Sequence, residues 1–230
     1  MIQLEQVSFS YGVKPLLKNF TLKLEPGLCH IILGPSGSGK STLLKLIAGL
    51  LRPTSGQIQT PKTFGYVLQE GGLFYHLNVA DNISIQGLMR GWSTEKIRQR
   101  TLQLCELTQF PSNLLPEAPS EISGGQRQRV SLMRALFLDP EVLLLDESLS
   151  ALDPILKYDL MRELKAIVTG LKKTTVHVTH DLMEAAVLGD RIVLLNEGKL
   201  EESASKVDFF KNPQTDFAKK FIQSQKVTEL

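Results

Sequence analysis

Apolar and polar positions alternate along the first third of the chain, in "IQLEQVSFSY" and "NFTLKL", then merge into the apolar run "LCHIILG". This pattern predicts short strands, the last feeding a Gly-rich loop. "KSTLLKLIAGLL" switches to helical spacing, "RPTSGQI" reads as the turn that ends the helix, and "TFGYVLQ" reads as another strand. From about Asn78 to Leu138 the period is helical almost throughout. "STEKIRQRTLQLCEL" is amphipathic there, and "PSNLLPEAPSEISGG" is a loop rich in Pro and Ser. After Pro140 the two periods alternate: strand "EVLLLDE", helix "PILKYDLMRELKAIVTGL", strand "TTVHVTH", helix "DLMEAAVLG", and the strand pair "RIVLLNEGKLEE". The apolar runs flanking these helices predict a buried parallel sheet. Residues 206–222 read as helical and "SQKVTEL" as a frayed end. The pattern therefore predicts one α/β domain over 1–230, with a core from 1–77 and 139–230. A helical subdomain, 78–138, interrupts it.

Composition narrows the function only by exclusion. A net charge of +2 gives no reason to expect nucleic-acid binding. Cys29 and Cys105 lie in apolar contexts without metal or redox spacing and read as reduced core residues, which fits a cytosolic compartment. The N-terminus lacks a secretory pattern, and no apolar run approaches membrane-spanning length. Any membrane process would need its spanning part from another chain.

Two stretches are built to hold anions. "GPSGSGKST" places Gly34, Pro35, Ser36, Gly37, Ser38, Gly39, Lys40, Ser41 and Thr42 between a predicted strand and a predicted helix. Glycines let backbone N–H groups reach phosphate oxygens without a Cβ in the way, and the helix N-terminus adds its dipole. Lys40 should reach the β- and γ-phosphates of a nucleotide, and Ser41 should offer a hydroxyl to Mg²⁺. A plain Gly/Ser turn would need neither the lysine nor this strand-to-helix setting. "VLLLDE" ends an apolar strand in Asp146, placed to hold Mg²⁺, and Glu147, placed to address the attacking water. The second anion grip is "ISGGQ", where Ser123, Gly124, Gly125 and Gln126 open a polar helix at the end of the helical insertion.

With these residues the chain resembles the nucleotide-binding subunits of ATP-binding cassette (ABC) transporters over essentially its whole length. "ISGGQ" is similar to the family's LSGGQ signature, "SALD" at 150–153 to the loop after the catalytic glutamate, and "VTHD" at 178–181 to the switch-histidine segment, at His180. Gln69 matches the glutamine joining core to helical subdomain, and Tyr11 the aromatic that stacks on adenine. The resemblance implies a P-loop α/β core with a mostly parallel sheet, an antiparallel N-terminal β subdomain and an inserted helical subdomain. It implies ATP and Mg²⁺, with Ser41, Gln69 and Asp146 on the metal, and Lys40, Gln69, Glu147 and His180 in hydrolysis. It also implies a head-to-tail dimer in which residues 123–126 of one copy address the ATP on the other and Asp153 links the two sites. The setting would be the cytoplasmic face of the cell membrane, on a separate permease, with a substrate-binding protein indirectly engaged.

Two positions depart from the family pattern: Ile122 stands for leucine, a swap of similar volume, and Ser148 for proline, which would have restricted the turn behind Glu147. Leu73, Phe74, Tyr75 and Leu77 form an apolar patch beside a double glycine, suited to gripping a permease helix, with packing the competing role for some of them. Arg127, Arg129 and Arg134 read as a salt-bridged or solvated face, and His30, His76 and His177 as packing or surface residues. Trp92 is unassigned. Stretches such as "YVLQEGGLFYHLNVADNI" are most similar to osmoprotectant importers for glycine betaine or choline. Polar amino-acid import and lipid trafficking are the alternatives, and a non-hydrolysing nucleotide-gated module is the alternative of a different class.

Overall fold

The computed structural model describes residues 1–69, 71–149 and 154–225, the first three of the last segment by backbone alone. Contacts divide the chain into two compact units, residues 1–62 with 172–230, and residues 63–171.

In the first unit, β1 (Ile2–Ser10) pairs antiparallel with β2 (Pro15–Leu24) on one side and with β4 (Ser55–Gln59) on the other. This is the expected antiparallel N-terminal sheet. The strand β4 corrects the expectation of a turn over "RPTSGQI". Its residues are exposed apart from a half-buried Ile58, so what makes it a strand is its ladder to β1. The second sheet of this unit is centred on β3 (Cys29–Leu33), buried along its whole length, with β7 (Thr174–Thr179) and β8 (Arg191–Asn196) parallel on either side. Full burial on both faces is what helix-covered parallel strands require, and it explains their unbroken apolar runs. The strand β9 (Lys199–Ser205) closes the edge antiparallel to β8. Helices α1 (Lys40–Ile47), α6 (Leu182–Leu188), α7 (Lys206–Lys211) and α8 (Asp216–Gln225) complete the unit. The single helix expected over 206–222 is two, because Pro213 cannot continue α7 past Lys211.

The second unit holds β5 (Phe64–Val67) and β6 (Val142–Asp146) as a parallel pair. Its helices are α2 (Val79–Met89), α3 (Thr94–Leu107), α4 (Gly124–Leu136) and α5 (Pro154–Leu171). The helix starts follow from local chemistry: Asn78, Ser93 and Ser123 each accept a hydrogen bond from the third helical N–H. Trp92 finds its place here, with its ring 5.4 Å from Phe137 and the Lys96 ammonium 3.8 Å above it. Cys29 and Cys105 are both buried, as expected. Among the described residues, no helix is long and apolar enough to cross a membrane.

Candidate nucleotide site

In the first unit the phosphate loop runs from the carboxyl end of β3 into α1. Gly34 is fixed by a close approach, since a Cβ there would collide with the Leu195 carbonyl oxygen of β8. Gly39 sits at φ 102°, a left-handed conformation that lets the helix begin immediately, with no side chain capping it. Lys40 is only 4% exposed, and its Nζ donates to the Pro35 carbonyl at 3.0 Å, closing the loop around its own lysine. The Ser38 Oγ is buried with no hydrogen-bond partner among the described residues. An orphaned buried hydroxyl inside a loop of N–H groups is what an anion site looks like from the protein side. Tyr11 presents a ring 65% exposed, braced edge-on against Phe9 with centroids 4.9 Å apart, and its hydroxyl lies 3.4 Å from the Thr42 Oγ1. Leu33 and Thr179 are register partners across β3 and β7. Gly34 and His180, the next residues, therefore leave the sheet at the same edge. The exposed His180 is tied to α8 by Gln225, whose Nε2 donates to its carbonyl at 2.8 Å.

The second unit repeats the logic. Val67 and Leu145 are register partners across the parallel pair, so Asp146, the last residue of β6, and Glu147 and Gln69 just beyond the strands gather at the carboxyl ends of β5 and β6. Ligands of open α/β sheets bind at such edges. Gln69 is exposed, two residues past the end of its strand. Asp146 is buried, and Tyr66 donates its hydroxyl to Oδ2 at 2.9 Å. Burial first, then the Asp146 charge, pushes the Tyr66 phenol far above its ordinary pKa, so it stays a donor. Glu147 adopts φ 44°, a left-handed conformation costing about 1–2 kcal/mol for a residue with a Cβ. Gln6, Asn19, Gln109, Asp139, Lys172 and Glu197 share this region, so the conformation fixes the turn at Glu147 without marking it as a site. Ser148, which stands where the family pattern has proline, is buried.

Ser123 and Gln126 form a reciprocal capping box at the start of α4. The Gln126 N–H donates to Ser123 Oγ at 3.2 Å, and the Ser123 N–H donates to Gln126 Oε1 at 2.8 Å. Ile122 is buried, and Arg127 donates to its carbonyl at 2.7 Å. At the other end of α4, the Ala135 backbone lies against Gly65 of β5. Ser123 thus stands about 18 Å along the helix from that contact, at 1.5 Å per residue. Ser123→Ala should cost about 1 kcal/mol, lowering the thermal midpoint by roughly 2–4 °C in a scanning melt. An unchanged midpoint would mean that the box contributes nothing.

Asp153 and the "SALD" segment lie outside the described residues. Of the basic residues, Arg129 forms the expected ion pair, its Nη2 2.7 Å from Glu163 Oε1. Arg134 corrects the expectation of a salt-bridged or solvated face: it is 8% exposed, with carbonyl oxygens for partners. Sequence reasoning also missed Tyr66. Its signal was a hydroxyl-bearing ring three residues before Gln69 on a strand that ends beside an acid.

A phosphate loop closed on a buried lysine, and an acidic turn at the carboxyl edge of a parallel strand pair, are the two elements characteristic of P-loop nucleoside-triphosphatases. The model of the ABC transporter family matches residues 17–150. A sulfate/thiosulfate import ATP-binding protein from Synechococcus elongatus is 44% identical over 96% of this chain and 67% of its own length. A glycine betaine/carnitine/choline transport ATP-binding protein from Bacillus subtilis is 37% identical over all of this chain and 64% of its own length. The chain thus spans about two thirds of these relatives. Among solved structures, a dimeric ATP-binding cassette in a post-hydrolysis state with ADP and phosphate superposes with a TM-score of 0.80. It is 30% identical, and the match covers 90% of this chain and 99% of that one. The chain belongs to the ABC transporter family, as an ATPase domain.

Proposed function

We propose that this chain dimerises around two ATP molecules and, by hydrolysing them, drives import of a solute through a separate permease at the cytoplasmic membrane face. The observation that carries the reading is the buried Lys40 inside its closed phosphate loop. The acidic pair Asp146 and Glu147 at the carboxyl end of β6 supports it from the second unit. Lys40 and the loop N–H groups offset phosphate charge, Tyr11 supplies a surface for adenine, and Glu147 accepts the proton of the attacking water. His180 contacts the γ-phosphate. The exposed hydroxyl of Ser123 and the N–H groups of Gly124 and Gly125 grip the γ-phosphate bound to the other copy, and Asp153 links the two sites. Loss of that phosphate releases the grip, which makes the dimer a nucleotide-timed clamp.

Mg²⁺ fits the donor set. Asp146, the Ser41 hydroxyl and the Gln69 amide offer hard oxygens, and among the described residues no cluster of three His, Cys, Asp or Glu side chains exists to cage a metal by itself. A sparse set of this kind suits an ion that arrives with the nucleotide and neutralises its phosphate charge. The first test is release of phosphate from Mg-ATP by the purified chain, and none would sink the reading.

Phe74 and Tyr75 are 42% and 64% exposed, whereas Leu73 is buried and Leu77 half-buried, so half the apolar patch is available to a permease helix and half packs inward. Phe74→Glu should cut transport at least ~10-fold in reconstituted vesicles while ATP affinity stays within about two-fold, since it places a charge in an apolar contact. Lost ATP affinity in that variant would remove the patch from the interface.

For cargo, quaternary-amine osmoprotectants remain the first reading, resting on the stretches after Gln69 and on a relative aligned along the whole chain. Sulfate or thiosulfate is the second, favoured by a higher identity. Uptake of labelled glycine betaine and labelled sulfate by cells with and without the gene decides between them.

A further inference from the structure

The segment that follows Gln69 is held by side chains the proposed chemistry does not use. Arg134 on α4 donates Nη2 to the Gly71 carbonyl and Nη1 to the Gly72 carbonyl, both at 2.8 Å. Ser131, one turn earlier on the same helix face, donates its hydroxyl to the Gly71 carbonyl at 2.8 Å. The guanidinium also lies 5.6 Å from the centre of the Phe74 ring. A second anchor holds the rest of the segment. Asn82 of α2, fully buried, accepts from the Phe74 N–H at 2.7 Å and donates to the carbonyls of Phe74, Leu77 and Asn78 at 2.9, 3.1 and 3.0 Å.

Burying a guanidinium is expensive, and a fork placed on two adjacent carbonyls fixes both the position and the orientation of that backbone. Arg134 and Ser123 share one rigid helix. A displacement of the backbone after Gln69 therefore cannot leave the signature turn where it was unless these bonds break. We propose that Arg134, assisted by Ser131, is a positioning residue that locks the Gln69 segment to the signature helix, so that both move as one piece during the ATP cycle. This rests on the roles given above to Gln69 and Ser123, and it identifies the mechanical joint between them.

The test is a double-mutant cycle in the full chain, comparing Arg134→Gln, Gln69→Ala and the pair. Arg134→Gln should lower kcat about 10- to 100-fold, the effect of losing two charge-assisted hydrogen bonds, with the KM for ATP within about two-fold. Ser131→Ala should lower it by a smaller factor. Adding Arg134→Gln to Gln69→Ala should change little, because the joint has nothing left to transmit. In hydrogen exchange, the amides of Gly124 and Gly125 should respond to Mg-ATP in the parent and in Ser131→Ala, and lose that response in Arg134→Gln.

Additive losses in the cycle, or a KM rising together with falling thermal stability, would reduce Arg134 to a packing residue and overturn the proposal. If Arg134→Gln does not fold, the same cycle run with Ser131→Ala decides: additivity refutes, non-additivity supports. A parent that hydrolyses ATP but is indifferent to both substitutions sinks this inference alone. A parent that does not hydrolyse ATP sinks the proposed function.

Discussion

Glu147→Gln should leave a protein that binds ATP as tightly as the parent and turns it over at least ~100-fold more slowly, in line with removing a general base. Glutamine keeps the size and reach of the side chain, and the left-handed backbone at φ 44° belongs to the turn after β6 rather than to the carboxylate. What changes is the proton acceptor. With the γ-phosphate uncleaved, the proposed clamp stays shut, so size-exclusion chromatography in Mg-ATP should move the variant to twice the mass of the parent. Turnover equal to the parent's would strip Glu147 of its role, and a monomeric elution would strip the γ-phosphate of its role as the joining anion.

Lys40→Ala should act at the preceding step. The ammonium is buried and donates to the Pro35 carbonyl at 3.0 Å, so it carries a desolvation cost that bound phosphates would offset. Removing the lysine should therefore weaken ATP by at least ~100-fold in an equilibrium titration with a fluorescent analogue, as expected for losing a charge-assisted contact in a water-poor site. The thermal midpoint without nucleotide should fall by no more than about 4 °C, the scale of a contribution near 1 kcal/mol in a domain of this size. A larger fall in that midpoint with unchanged affinity would reverse the assignment and make Lys40 a structural residue.

The parts legible in the sequence share one property: their physics is local. A phosphate loop needs its glycines, lysine and hydroxyl contiguous, and the polar start of α4 lies wholly within "ISGGQ". Buried strands such as β3, β6 and β7 announce themselves as unbroken apolar runs. What escaped depends on distant partners. The strand β4 exists because β1 offers it an edge, and nothing in "SGQIQ" requires it. The carbonyls that hold Arg134 lie more than sixty residues earlier, and the hydroxyl on Asp146 comes from eighty residues earlier. Arg134 did leave a trace: an arginine inside the apolar run "SLMRALFL" must find buried acceptors or distort its helix. The reach of Gln126 back to Ser123 was hidden differently, since the family resemblance assigns the signature residues to a second copy while Gln126 also serves its own helix.

That intramolecular embrace has a kinetic corollary. Because the first turn of α4 is already tied off within its own chain, an approaching copy meets a finished surface rather than a strand of backbone still to be ordered. In the proposed dimer, encounter then requires orientation but no folding step, and the lifetime of the pair would be left to the phosphate shared between the copies.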